Sequence, residues 1–255
     1  MTTKTVDELL VELDDKKLTD SIELAKSKGD DASLPFTEAH VTIIEGEQGG
    51  GKTNTAVARI RDAYDKDCVR IFCEKVMRIK CEVKNYDRKR RIAKIKYNGR
   101  MKRFHIPVSY NLHSPMSIFC NFHLFGIPYT HCPSFQHILQ WLKQGIIVNG
   151  WLVVDEAYVG MNARASMQAL GKELEKQYFQ FRKMQLNVII VTPMARLIDW
   201  TMRTIPTERI HCTYNSKTHK ITLKIRKKGM PGERKLDYDG RQYWANFRTN
   251  ERIDQ

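Results

Sequence analysis

A glycine-rich segment between an apolar run and a helical pattern constrains this chain more than any other feature of its sequence. Residues Val41–Thr53 read VTIIEGEQGGGKT, and Gly46–Thr53 match the full pattern G-x-x-x-x-G-K-[ST]. Glycines in such a loop let backbone N–H groups surround phosphate oxygens. Asn54–Tyr64 follow with apolar side chains at helical spacing. The segment therefore predicts a strand, a phosphate-binding loop and a helix, and it disfavours a glycine-rich hairpin that matches by chance.

Each position of this loop has an expected role in binding a nucleoside triphosphate. Lys52 is expected to reach the β and γ phosphates and to act in catalysis, and Thr53 places a hydroxyl for Mg²⁺. ATP and Mg²⁺ are the expected ligands. The predicted nucleotide-binding residues are Gly46, Glu47, Gln48, Gly49, Gly50, Gly51, Lys52, Thr53 and Asn54.

A second strand pattern lies in WLVVDEAY, Trp151–Tyr158, where an apolar run is followed directly by Asp155 and Glu156. Because functional groups gather at the carboxyl ends of parallel strands, Asp155 is expected beside the phosphate loop, where it would hold Mg²⁺ together with Thr53. Glu156 is expected to orient and deprotonate the attacking water. Alone, this pattern also describes a strand that enters a solvated turn. Its combination with the phosphate loop favours the catalytic interpretation.

Strand and helix patterns alternate along the rest of the chain, which predicts a mostly parallel sheet covered by helices. The expected fold class is α/β, of the P-loop NTPase type. The other predicted strands span residues 69–76, 92–97, 100–106, 116–122, 186–192, 210–214, 220–226 and 243–248, and the other predicted helices span 134–143, with Ser134 as N-cap, and 166–184. The last three strands are expected as antiparallel additions to the sheet.

Two domain-level features are expected from the composition along the chain. An acidic helical arm is predicted over residues 1–38, followed by one ATPase domain over residues 39–255. Within this domain, a basic β-hairpin is expected as an insertion at about residues 78–110, and a β-rich extension at about residues 208–255.

Positive charge is concentrated in the predicted hairpin. The chain has a formal net charge of +14, and residues 78–103 contain twelve Lys or Arg but only two acidic residues. A local excess of this kind indicates a surface for a polyanion, although charge runs are also common on solvated faces without a partner. The predicted DNA-binding residues are Arg88, Lys89, Arg90, Arg91, Lys94, Lys96, Arg100, Lys102 and Arg103.

Several motifs together resemble the FtsK/HerA superfamily of DNA-pumping ATPases. They are the phosphate loop, a strand ending in Asn121, the VVDEA segment, a helix carrying FRK, and VIIVTPMARLIDWTMR. The resemblance covers roughly residues 40–205 and extends to viral genome-packaging ATPases and to Zot-like phage ATPases. It implies a RecA-like fold and a homo-oligomeric ring, usually a hexamer, that moves double-stranded DNA with little sequence preference. A capsid or portal-like docking partner is also implied.

The same resemblance suggests residues that complete the catalytic site. An arginine from the next subunit is implied, and the candidates are Arg164, Arg182 and Arg203. Arg182 is favoured because it lies in the FRK segment, but each of the three also fits an ordinary surface arginine. Thr192 stands where the superfamily often has a polar sensor, commonly Gln, and is expected to sense the γ-phosphate.

The sequence leaves more than one function open. A genome-packaging motor is preferred over a Zot-like assembly ATPase because no apolar segment is long enough to span a bilayer. A nucleotide-switched DNA-binding or replication-initiation factor is the other alternative, and the charge excess disfavours a metabolic kinase. With no signal-peptide pattern in the sequence, the expected location is the cytoplasm, that of the host if the protein is viral.

Overall fold

The computed structural model describes residues 41–157, 184, 186–198 and 206–248 of the chain. They belong to two compact units. One contains Asp62–Pro115, and the other contains the described residues within Phe36–Arg61 and Met116–Gln255. The predicted acidic arm over 1–38 lies outside the described residues, as do Arg164, Arg182, Arg203 and nearly all of the helix predicted over 166–184.

The described residues form two α-helices, two short 3-10 helices and thirteen strands. The helices are α1, Lys52–Lys75, and α2, Phe135–Lys143, with two short 3-10 helices over Ala195–Leu197 and Gly240–Asn246. The strands are β1 Val41–Glu45, β2 Glu82–Asp87, β3 Ile92–Tyr97, β4 Arg100–His105, β5 Ser117–Cys120, β6 His123–Leu124, β7 Thr130–His131, β8 Gly150–Val154, β9 Leu186–Thr192, β10 Glu208–Asn215, β11 Lys220–Lys227, β12 Arg234–Asp239 and β13 Phe247–Arg248. No helix in these ranges is both long and apolar enough to cross a membrane.

The larger unit is built on a mostly parallel sheet. Within the described ranges, eight strands lie in the order β12-β11-β10-β1-β9-β8-β5-β7. The pairs from β7 to β10 are all parallel, whereas β11 is antiparallel to both of its neighbours, β10 and β12. This arrangement confirms the α/β fold class of the P-loop NTPase type. It also places the carboxyl ends of β1, β8 and β9 side by side.

A buried core joins this sheet to α2. Ser134 caps the helix as predicted, since its hydroxyl accepts a hydrogen bond from the backbone N–H of His137. Ile138 and Leu142 are buried in a cluster that includes residues of β1, β8 and β9. Each such side chain contributes about 1.5–3 kcal/mol through removal from water. The core therefore holds the central strands in the positions from which the loops at their carboxyl ends emerge.

The smaller unit contains a three-stranded antiparallel sheet in the order β2-β3-β4. The predicted hairpin is confirmed: Asn98 and Gly99 form its turn with φ values of 48° and 76°, as a type I′ turn requires. The strand β2 was not predicted. Its sequence EVKNYD is polar, and its pairing with β3 is interrupted by a bulge between Val83 and Asn85.

The strand predicted over residues 69–76 is wrong, because these residues continue α1 to Lys75. Val69, Phe72 and Cys73 are buried in one cluster with residues of β3 and β4. Their spacing of three and four residues fits one face of a helix. A short apolar run does not by itself distinguish a strand from a helix that packs against a sheet.

The C-terminal strands differ from the prediction in two respects. The strand over residues 210–214 pairs antiparallel with β11, as expected, but on its other side it pairs in parallel with β1, because alternation of buried and exposed residues does not specify strand direction. Of the strand predicted over 243–248, only Phe247–Arg248 is extended. The edge strand on this side is β12. Its sequence RKLDYD lacks the apolar pattern of a strand, because edge strands often carry charges.

Candidate active site

The phosphate loop connects β1 to α1 in a backbone path that side chains would block. A Cβ atom at Gly46 would collide with the backbone carbonyl of Cys212 on β10. At Gly51, where φ is 85°, a Cβ atom would lie 2.7 Å from Cδ1 of Ile221 on β11. Glycine is needed at Gly46 because backbone packs against backbone there, and at Gly51 because its φ lies in the left-handed region. Contacts with β10 and β11 therefore restrict the backbone conformation of the loop.

Hydrogen bonds within the loop set the position of Lys52. The Gly50 N–H donates to the Glu47 carbonyl over 2.9 Å, and the Lys52 ammonium donates to the same carbonyl over 2.8 Å. Thr55 then continues the helix with a backbone bond of 2.9 Å to Gly51. The lysine head group is thus held over the loop, where it can transfer its hydrogen bonds to phosphate oxygens.

The structure brings together the two predicted metal-binding residues, which are far apart in the chain. Thr53 Oγ1 donates a hydrogen bond of 2.7 Å to Asp155 Oδ2, and both residues are buried. Hydroxyl and carboxylate oxygens are suitable ligands for Mg²⁺. The pair therefore fits a divalent cation at the junction of the phosphate loop and β8.

Asn121 holds the backbone at the end of β8. Its side-chain amide donates to the Asp155 carbonyl over 2.8 Å, and its Oδ1 accepts from the Asp155 N–H over 2.7 Å. The following residue, Glu156, has a φ of 50° and an exposed side chain. Sequence reasoning assigned Asn121 no chemical role. The available signal was a polar residue at the end of a short buried strand, the same signal that identified Asp155.

The loop after β9 is tied to the loop after β1. The Gly46 N–H donates to the Pro193 carbonyl over 3.2 Å, and the Ala195 N–H donates to Glu45 Oε2 over 2.8 Å. Thr192 is buried between them, and its hydroxyl donates to the Met194 carbonyl over 3.1 Å. Sequence reasoning missed Glu45. Its place directly before the glycine loop was the only signal in the chain.

One pocket collects the side chains discussed above. Its lining residues are Gln48, Lys52, Thr53, Asp155, Glu156, Val191, Thr192 and Pro193. An ammonium group, two carboxylates and two hydroxyls therefore face a common space. This set can bind a polyphosphate, hold a cation and accept a proton. The individual roles predicted for Glu156 and Thr192 remain predictions.

Asn54 points away from this pocket. Its amide donates to the Gly240 carbonyl over 2.8 Å, and its Oδ1 accepts from the Tyr238 hydroxyl over 2.9 Å. The same network includes Thr55, whose hydroxyl lies 3.0 Å from that of Tyr238 and 3.4 Å from the Cys212 thiol. Burial raises the pKa of Cys212 to about 12, so it stays a neutral thiol. A role for Asn54 in nucleotide binding would use its backbone.

The predicted DNA-binding residues occupy several environments within the smaller unit. The Arg91 guanidinium donates to the carbonyls of Ile106, Pro107 and Tyr110, which ties the turn before β3 to the segment after β4. By contrast, Lys94 and Arg103 are opposite each other in the β3–β4 register. The remaining predicted residues are Arg88 and Arg90, ion-paired to Asp65 and Asp87, together with Lys89, Lys96, Arg100 and Lys102.

Comparisons with known proteins give only distant similarities. No protein-family profile and no curated protein sequence matches this chain. The N-terminal domain of zonular occludens toxin from Neisseria meningitidis has a TM-score of 0.48 and 16% identity, over 83% of this chain and 100% of that one. The RadB recombinase gives 0.44 and 11%, over 78% and 86%. The genome packaging NTPase B204 from Sulfolobus turreted icosahedral virus 2 gives 0.43 and 10%, over 79% and 97%. Similarities of this size carry no information about function.

Proposed function

We propose that this chain hydrolyses ATP at the pocket between the ends of β1, β8 and β9, and that hydrolysis drives the movement of double-stranded DNA. The observation that carries the enzymatic part is the buried 2.7 Å hydrogen bond from Thr53 to Asp155. It joins the phosphate-loop motif to the acidic strand in one site. A glycine-rich turn without this function would have no need of a carboxylate at that hydroxyl.

Binding of the triphosphate uses the backbone of the loop together with Lys52, Thr53 and Asp155, which line the pocket. Backbone N–H groups of the loop and of the first turn of α1 donate to phosphate oxygens, and the helix N-terminus favours their negative charge. Lys52 exchanges the Glu47 carbonyl for a phosphate oxygen. Thr53 and Asp155 are the residues that would hold Mg²⁺, which when bound neutralises charge on the β and γ phosphates.

Hydrolysis then requires a base and a set of positioning groups. Glu156 accepts a proton from the attacking water, whose oxygen forms a bond to the γ-phosphorus as the bond to the ADP oxygen breaks. Asn121 holds the backbone on which Glu156 is carried, through its two hydrogen bonds to Asp155. Thr192 lines the same pocket and is proposed to contact the γ-phosphate. An arginine from a neighbouring subunit, Arg182 in preference to Arg164 or Arg203, is proposed to complete the site.

Charge on the smaller unit supports DNA as the polymer that is moved. In the β2-β3-β4 register, Lys94 and Arg103 share a face with Lys96, opposite to the face on which Ile95 and Phe104 are buried. Cations in this arrangement contact phosphates and read no base sequence. Membership of the FtsK/HerA superfamily, a hexameric ring and a genome-packaging role are part of this proposal, and they rest on the motifs of the sequence.

Turnover in the presence of DNA tests the proposal. We expect double-stranded DNA to stimulate ATP hydrolysis, and hydrolysis to displace a protein roadblock bound to that DNA. Lys52→Ala is the matched control. It should lose both activities, because loss of the charge-assisted hydrogen bonds to phosphate, about 1.5–3 kcal/mol each, weakens ATP binding about tenfold or more.

The alternatives give different results in the same assay. Sequence-specific protection of DNA with negligible turnover would contradict the motor and favour a nucleotide-switched DNA-binding factor. Turnover that DNA does not change, with the roadblock left in place, would retain the ATPase and remove the translocase. Normal turnover by Lys52→Ala would contradict the assigned site itself.

Neutralising one face of the small sheet is expected to reduce the salt dependence of DNA binding. The triple variant Lys94→Gln, Lys96→Gln, Arg103→Gln should lower the slope of log K against log salt by about 1 to 3, because each lost phosphate contact changes it by about 0.9. Titrations at several salt concentrations measure this slope.

A variant with the same loss of charge elsewhere provides the control. Lys224→Gln, Arg234→Gln and Lys235→Gln remove three exposed cations from β11 and β12 in the larger unit. We expect the slope to stay close to that of the unmodified chain. Equal changes in the two triple variants would show that net charge, rather than this face, determines the affinity for DNA.

A further inference from the structure

Three aromatic side chains form a cluster beyond the carboxyl ends of β10 and β12 in the larger sheet, and the proposed mechanism does not use them. The rings of His219 and Trp244 are 5.5 Å apart and perpendicular to each other. The hydroxyl of Tyr214 lies 2.8 Å from His219 Nδ1. Trp244 is 48% exposed, so one part of its indole is open to a ligand. These three residues are called the aromatic cluster below.

The strand directions place the aromatic cluster at the same end of the strands as the phosphate loop. β10 is parallel to β1 and ends at Asn215, just after Tyr214, while β1 ends at the loop. β12 runs antiparallel to β11 and therefore in the direction of β10, and it leads into the 3-10 helix Gly240–Asn246 that carries Trp244. Because β1, β10 and β12 run in the same direction, the phosphate loop and the aromatic cluster both lie at the carboxyl ends of these strands.

Direct contacts then join the base of that 3-10 helix to the loop. A Cβ atom on Gly51 would lie 2.7 Å from Ile221 Cδ1, and one on Gly240 would lie 2.8 Å from the same atom. The two glycines therefore pack against a single methyl group. The Asn54 amide adds a hydrogen bond of 2.8 Å to the Gly240 carbonyl. Trp244 follows Gly240 by four residues, a rise of about 8 Å in a 3-10 helix.

From this placement we propose that the indole of Trp244 stacks on the nucleobase of the bound nucleoside triphosphate. This inference rests on the proposed function, because the phosphates must occupy the loop before the base can reach the cluster. The loop and the first turn of α1 take the phosphates, and the nucleoside extends past Asn54 and Gly240 to the exposed ring. His219 holds the indole through its perpendicular contact, and the Tyr214 hydroxyl holds His219.

Stacking of this kind favours ligands that carry a nucleobase but does not distinguish one base from another. Every nucleobase has a π face, and stacking on an aromatic side chain is tolerant of sequence for that reason. The ligand class is therefore a nucleoside triphosphate with any base, and ATP and GTP should lose affinity together when the indole is removed.

Binding of two ligands to the full chain separates the base from the phosphates. The affinities of ATP and of inorganic tripolyphosphate, each with Mg²⁺, are measured by calorimetry for the unmodified chain, Trp244→Ala and Trp244→Phe. Trp244→Ala should weaken ATP binding roughly 5- to 100-fold and leave tripolyphosphate binding unchanged. Trp244→Phe keeps a ring and should retain most of the affinity for ATP.

Three other results of this experiment would each contradict a part of the proposal. Unchanged ATP affinity in Trp244→Ala would overturn the base subsite while leaving the phosphate site intact. An equal loss for ATP and tripolyphosphate would also overturn it, because the indole would then act on the shape of the loop. Failure of the unmodified chain to bind either ligand would remove the proposed function, and the base subsite with it.

Discussion

Replacing Glu156 with glutamine is expected to lower ATP turnover by about 10²- to 10⁴-fold, the usual contribution of a general base. Glutamine has nearly the same shape but does not accept a proton. The Thr53–Asp155 pair and the loop that contacts the phosphates remain, so the affinity for ATP should stay within a few-fold of the unmodified chain. Steady-state turnover and calorimetric binding of ATP, measured on the same preparation, separate these two effects.

The structure supplies a reason to expect this separation. Glu156 is exposed and lines the pocket, and its backbone N–H donates to Asp155 Oδ1 over 2.9 Å. That bond uses the backbone, so the substitution leaves it in place. Glu233→Gln is the matched control, because Glu233 pairs with Arg226 at the sheet edge, away from the pocket lining. Normal turnover by Glu156→Gln would show that another group activates the water.

Removing the carboxylate of Glu208 is expected to destabilise the protein by about 3–5 kcal/mol. Glu208 forms an ion pair with Arg59, and both side chains are only 2% exposed. The Arg59 guanidinium also donates to the Thr42 hydroxyl over 3.2 Å, so the group joins α1 to β1 and β10. Glu208→Ala leaves the positive charge of Arg59 buried without its carboxylate. The free energy of unfolding, from denaturant titration, measures the loss.

Two variants show whether the cost arises from burial. Glu233→Ala breaks an ion pair with Arg226, whose side chain is 74% exposed, and should cost less than about 1 kcal/mol. The double variant Arg59→Met, Glu208→Leu removes both charges and should recover much of the stability lost in Glu208→Ala. A cost below about 1 kcal/mol for Glu208→Ala would mean that water reaches the arginine in solution.

Elements whose signals are local were predicted well from the sequence. The strand over Leu186–Thr192 has the predicted bounds, and α2 begins directly after its predicted cap. The type I′ turn at Asn98-Gly99 is where the pattern indicates. By contrast, residues 69–75 continue α1 and bury Val69, Phe72 and Cys73 against β3 and β4, and in so short an apolar run the sequence does not show which side chains are buried.

The sequence by itself determined the chemical groups of the site and the local shape of the phosphate loop. Both follow from short-range properties, namely the side chains present and the freedom of glycine to adopt backbone paths that a Cβ atom would block. Only the tertiary structure decided which strand ends meet. Thr53 and Asp155 are 102 residues apart, and Asn121, Ile221 and Gly240 support the site from other segments still. Such contacts depend on strand order and direction, and neither quantity is encoded in the spacing of residues along the chain.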